Sequence, residues 1–166
     1  MRLWSLVTTL AALLPVSHSL SSTDFPQDGD TPNSGYKTNH NMDPTKLSQY
    51  KVSWRSIFNN LEVFYAKPLV YTPTGAASER IYTVSNQNIV RVIDGMTGTT
   101  LLSRTLDPPF MSNDTQCGDI PNTIGITGTP IIDTATDIMY FWSKSYQNAV
   151  VGPLGVPTGV LNGGLC

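Results

Sequence analysis

The chain is 166 residues long, carries ten basic and twelve acidic side chains for a formal charge of −2, and has only 13% of its residues charged. Its cations, Lys51, Arg55, Lys67, Arg80, Arg91, Arg104 and Lys144 among them, are scattered instead of forming a stripe interleaved with aromatics. Phosphate binding needs clustered cations, so this pattern excludes nucleic acid as a partner.

Residues 1–19 read as a secretory signal peptide. Arg2 supplies the positive start, Leu3 to Val16 an apolar core too short to span a bilayer, and Ser17 and Ser19 the small residues for cleavage after Ser19. Pro15 and the lack of a polar face argue against a buried helix there. No later segment is apolar enough to cross a membrane, so the mature chain is expected to be secreted, with a charge of −3 once Arg2 is removed. In an oxidising compartment Cys117 and Cys166 can bridge, or Cys117 can pair with a cysteine lying past residue 166. Asn113-Asp114-Thr115 is an N-glycosylation sequon, which fits the same compartment.

Residues 20–49 are polar and rich in turn formers, which predicts a flexible arm. Within it, Asp28-Gly29-Asp30 resembles the opening of a calcium loop but lacks the downstream ligands, so it reads as a solvated turn. From Tyr50 to Tyr65 the apolar positions fit neither a helical stripe nor strict alternation, leaving a short helix or a strand-loop-strand. Leu69 to Tyr71, between Pro68 and Pro73, reads as a strand suited to a sheet edge.

The run Ile81 to Leu106 is the strongest signal. Two β-branched segments, IYTVS and IVRVID, and a third, TTLLSRTL, are separated by NQN and GMTG, which predicts a three-stranded antiparallel meander. Residues 107–124 form a long loop carrying Pro108, Pro109, the sequon and Cys117, and loops of this length usually serve binding, display or anchoring. Ile131 to Asp133 and Ile138 to Tyr146 then read as strands around the turn Thr134 to Asp137. Asp94 and Asp133, 39 positions apart, each end a β-run before a Thr-containing turn, where a carboxylate can accept turn amides. Residues 147–166 read as a Gly/Pro-rich tail.

Ile89 to Gly98 (IVRVIDGMTG) resembles the strand-Asp-x-x-Thr-Gly-strand signature of PQQ-like, quinoprotein-type β-propeller repeats. Gly128 to Asp133 (GTPIID) resembles the strand that opens another such repeat. The span Pro68 to Tyr146 is similar to the N-terminal part of secreted, largely uncharacterised fungal proteins of this kind. The resemblance implies an all-β chain: a partial β-propeller of about two to two and a half four-stranded antiparallel blades over residues 50–146. Asp94, Gly95, Thr97, Gly98 and Asp133 become its structural turn residues. Where such repeats often carry a blade-docking Trp, this chain has Leu101 and Leu102. A closed propeller needs about four to eight blades. The chain is therefore expected to be an N-terminal fragment, with a small self-contained β domain or an open sheet completed by another chain as the alternatives.

Catalytic constellations are not expected. The mature chain has one histidine, His40, in the polar arm, and neither a nucleophilic triad nor a metal-ligand set assembles from it. Asp94 and Asp133 read as turn caps and Asp137 as solvated, instead of as a glycosidase pair. In the PQQ enzymes the quinone sits across the centre of a closed ring, which this chain does not supply, so no cofactor is expected. Tyr140, Phe141, Trp142 and Tyr146 read as strand packing. The function expected is a secreted binding or structural module without a catalytic site, with loop 107–124 as its surface for a carbohydrate or protein ligand. The alternative is an N-terminal piece of a quinoprotein-type oxidoreductase.

Overall fold

The computed structural model describes residues 24–29, 43–115, 119–120, 122–151 and 157–161. The leader over residues 1–19, His40, Cys117 and Cys166 lie outside the described residues.

Among the described residues the protein is mostly antiparallel sheet, with helix confined to a 3-10 segment, Pro44–Gln49, and one short α-helix, α1 (Ser112–Thr115). Strands β1 (Leu69–Tyr71), β2 (Arg80–Val84), β3 (Ile89–Asp94) and β4 (Thr100–Thr105) form a meander in the order β1-β2-β3-β4. The predicted three strands are there, and the proline-bracketed segment joins them as the edge β1. Tight reversals need left-handed backbone, which Asn88 (φ 56°) supplies between β2 and β3 and Gly98 (φ 72°) between β3 and β4. Pairings Leu69↔Tyr82, Tyr82↔Val92 and Val92↔Leu102 put alternate residues on opposite faces. Leu69, Tyr71, Tyr82, Val84 and Val90 share one face, and Ile81, Thr83, Arg91 and Ile93 the other. Burial falls steeply across the sheet, from fully buried Leu69 in β1 to β4, where every residue is exposed.

The remaining strands pair in twos: β5 (Phe110–Met111) with β6 (Thr123–Ile124), β7 (Ile131–Asp133) with β8 (Ile138–Tyr140), and β9 (Tyr146–Val151) with β10 (Pro157–Leu161). Among the described residues one sheet has four strands, three have two, and none closes into a barrel. The aromatic strand expected to run to Tyr146 ends at Tyr140. Asn88 Nδ2 donates to Lys144 O (2.9 Å) and Ser145 bridges Pro109, which draws residues 141–145 away from β7. Residues read as tail contribute most of the β9–β10 hairpin, where Val150 and Val151 are strong strand formers.

Both faces of the sheet are covered over β1–β3, while β4 stays exposed. Residues 54–63 lie across the Arg91 face as a strap, extended up to Asn59 and turning at Asn59–Glu62. Trp54, Ser56 and Phe58 are half-buried while Arg55 and Ile57 point to solvent, a period-two pattern without a strand partner. On the opposite face, Ile132 packs with Leu69 and Tyr71, and Ile126 with Val84, Val90 and Ala66. Met139 of β8 touches both groups and joins them. Burying Leu69 and Ile126 completely stabilises the stack by about 1.5–3 kcal/mol each. A separate cluster of Phe110, Ile124 and Tyr146 ties loop 107–124 to the start of β9.

Residues 24–29 are docked, unlike the free arm expected there. Phe25 exchanges backbone hydrogen bonds with Val70 (2.6 and 3.1 Å), Pro26 O accepts from Ile132 N (2.7 Å), and Asp28 pairs with Lys67 Nζ at 2.6 Å.

Candidate functional site

The two aspartate turns are built alike. Asp94 Oδ1 accepts from Met96 N (3.0 Å), Thr97 N (2.8 Å) and Thr97 Oγ1 (3.0 Å), and Ser78 Oγ donates to Oδ2 (3.2 Å). Asp133 Oδ1 accepts from Ala135 N (3.0 Å) and Oδ2 from Thr136 Oγ1 (2.8 Å). Donors stabilise the ionised form, so both carboxyls are held below the ordinary value of 3.8, Asp94 chiefly by the Thr97 amide and Asp133 chiefly by the Thr136 hydroxyl. Carboxylates engaged in this way brace a reversal and are poor proton donors.

The residue four places after each aspartate is left-handed, Gly98 at φ 72° and Asp137 at φ 57°. Gly98 lies under the Trp54 ring, so close that a Cβ there would fall 2.6 Å from Trp54 Cδ2 and Cε3. Trp54 Nε1 donates to Gly95 O (3.0 Å) and Ser56 Oγ to Gly98 O (3.0 Å). Asp137, expected to be solvated, is exposed yet accepts the Tyr71 hydroxyl and, at 3.3 Å, the Thr74 amide. This bond holds Asp137 below 3.8 and pushes the Tyr71 phenol up to about 12, with burial and the nearby Asp137 charge adding to the rise.

The strap adds a buried ion pair with no signal in the sequence. Glu62, whose side chain is 0% exposed, takes both Arg91 Nη1 (2.7 Å) and Nη2 (2.8 Å), and the Phe58 ring stacks under the guanidinium at 4.4 Å. Farther along, Val63 and Asn86 are joined twice, Val63 N to Asn86 Oδ1 (2.8 Å) and Asn86 N to Val63 O (3.0 Å).

Loop 107–124 is pinned at its base. Phe110 stacks on Tyr146 with ring centroids 4.9 Å apart, Met111 N donates to Tyr146 Oη (2.8 Å), and Tyr146 Oη donates to Asp114. Burial pushes the Tyr146 phenol up, and its bond to Asp114 adds to this. Asn113 of the sequon is exposed at the start of α1.

A surface open to a ligand lies elsewhere. Thr129, Ile131, Met139, Tyr140, Phe141 and Trp142 line a groove of about 440 Å³ along β7–β8. Ile131 opposes Tyr140 across the hairpin, and both, with Ile138, face away from the four-stranded sheet. Trp142 is 89% exposed. Of the aromatics expected to serve as strand packing, Phe141 and Tyr146 pack in core clusters, whereas the alternation sends Met139 inward and Tyr140 outward and Trp142 is exposed. Among the described residues no group of three or more His, Cys, Asp or Glu gathers in a metal-binding arrangement, and no helix is long and apolar enough to cross a membrane. Comparison with family models, with curated proteins and with solved structures finds no match to this chain.

Proposed function

We propose that the chain is a secreted β-propeller-type module, with β1–β4 as one blade of the PQQ-like kind and β7–β8 as the beginning of another, acting by binding protein surfaces through its sheet faces. The observation that carries this reading is the outer face of β7–β8. In each aspartate-closed hairpin the carboxylate shares a face with the residue two places before it, Val92 with Asp94 and Ile131 with Asp133. The Val92 face is the one that receives β7–β8, whereas the equivalent Ile131 face leaves Ile131, Ile138, Tyr140 and Trp142 exposed. A contiguous apolar surface rich in aromatics and lined by few polar groups fits a protein partner better than a sugar, which needs several fixed hydrogen bonds. The occupied carboxylates of Asp94 and Asp133 support a bracing role for the turns over an acid–base one.

The test is titration with the apolar dye anilinonaphthalene sulfonate. Dye fluorescence is expected with the native chain and should be largely lost in Trp142→Ala, with the unfolding midpoint unchanged because Trp142 packs on little. Equal dye signal in both proteins would overturn the site. Secretion predicts a mature N-terminus at Leu20, and a chain retained in cells with Met1 in place would overturn the compartment.

A further inference from the structure

We infer that Asn113 carries an N-linked glycan and that loop 107–124 serves to display it; the inference rests on the secretion proposed above. Asn113-Asp114-Thr115 is the only Asn-x-Ser/Thr triplet in the sequence, so a single acceptor is defined.

The structure separates this asparagine from those that build the fold. Asn86 and Asn88 are fully buried and act as clamps. Asn86 Nδ2 donates to Thr123 O (3.2 Å) and Oγ1 (3.0 Å), and Asn88 Nδ2 to Asp107 O (2.9 Å) and Lys144 O (2.9 Å). Asn113 is exposed, and its carboxamide has no hydrogen-bond partner among the described residues. A sugar bonded to Nδ2 of Asn113 therefore displaces no contact of the fold, whereas one on either clamp would break several.

The loop holds that position at the surface. Its two ends are tied to the turn between β2 and β3, Asp107 through Asn88 and Thr123 through Asn86. The chain is also tied on each side of Asn113. Ser112 is buried and its N donates to Asn122 O (2.9 Å), and the Asp114 carboxylate accepts the Tyr146 hydroxyl. None of these anchoring residues lines the β7–β8 groove, so glycan and protein partner are carried by different residues. A bulky hydrated glycan on α1 makes the loop a poor docking surface, so the chain bears carbohydrate there instead of binding it.

The donor is a lipid-linked oligosaccharyl pyrophosphate of the secretory pathway. A bond forms from Asn113 Nδ2 to the anomeric carbon of the first sugar as the bond from that carbon to the pyrophosphate oxygen breaks. The lipid pyrophosphate leaves, Nδ2 gives up one proton to a base of the transferase, and no oxidation state changes.

Mass spectrometry of the full chain secreted from a eukaryotic host, before and after peptide-N-glycosidase digestion, tests this. The native chain is expected to be heavier than its sequence by one glycan, and digestion should remove the excess and leave a carboxylate in place of the carboxamide at residue 113. Asn113→Gln and Thr115→Ala should each abolish the excess mass, and Thr115→Ser, which keeps the triplet, should retain it. The unfolding midpoint of Asn113→Gln should match that of the digested native chain, because the side chain packs on nothing described. A secreted chain at its bare sequence mass, or a glycan that persists in Asn113→Gln, would overturn the inference while leaving secretion standing. A chain kept inside the cell with Met1 in place removes the compartment and the glycan together.

Discussion

In the turn from Asp94 to Gly98 the left-handed position is glycine and the Trp54 ring lies on it; in the turn from Asp133 to Asp137 the same position is an aspartate that reaches Tyr71. One backbone device is thus bolted to its neighbour in two ways. Where glycine leaves room, the neighbour supplies an aromatic plane, and where a side chain is present, that side chain becomes the tie. The difference extends over the two faces of the sheet. The strap side is held by polar and aromatic contacts, namely Trp54 on Gly98 and Glu62 with Arg91, whereas the hairpin side is held by apolar packing with Tyr71–Asp137 as its tether.

The comparison breaks most severely on the strap side. Arg91→Ala leaves the Glu62 carboxylate buried without its counter-charge, with an expected loss of about 3–5 kcal/mol in urea unfolding. Adding Glu62→Gln should recover much of this; a single variant as stable as the native chain would show that the strap does not hold the sheet. Gly98→Ala comes next, at about 2–4 kcal/mol, combining left-handed strain with the clash against Trp54. In a Trp54→Ala background its cost should fall to the strain alone, about 1–2 kcal/mol.

Asp137→Gly should change stability least, because relief of the left-handed backbone offsets the lost tie, yet it moves a titration. Tyrosinate absorbance should show the Tyr71 phenol returning from about 12 toward 10.0. A phenol raised in the folded state stabilises fully below pH 10.0, and that contribution is lost as the pH rises toward about 12. Tyr71→Phe should therefore flatten part of the alkaline limb, leaving the shares of Tyr82 and Tyr146, which are also raised. The aspartates act in the opposite direction. Held below 3.8, Asp94, Asp133 and Asp137 stabilise above that value, and their contribution is lost as the pH falls through their lowered folded values. An unchanged acid limb in Asp94→Asn would detach that turn from the effect.

What was legible in the sequence was local. The β-branched runs around NQN and GMTG announce a meander, and the matched positions of Asp94 and Asp133 announce two braced turns, because each depends on residues within a few places of one another. What escaped depends on distant partners. Trp54 and Gly95 are 41 positions apart, Tyr71 and Asp137 66 apart, and neither residue type in isolation signals the other. The strap hid for a further reason: its extended part ends at the turn Asn59–Glu62, which scrambles the alternation across Tyr50 to Tyr65. The exposure of Tyr140 and Trp142 escaped because an aromatic strand reads the same whether its second side is covered or open.

The docking of residues 24–26 has a consequence for handling the protein. Phe25 saturates the edge of β1 at Val70, Pro26 takes the Ile132 amide of β7, and the Asp24 carboxylate holds Thr72 N and Oγ1 at 3.1 and 3.0 Å. These few residues thus work like the pull of a zip fastener, closing two strand margins that would otherwise lie bare. A version trimmed to begin at Asp43 would expose those margins and invite fibrillar aggregation, so purification handles belong at the opposite terminus.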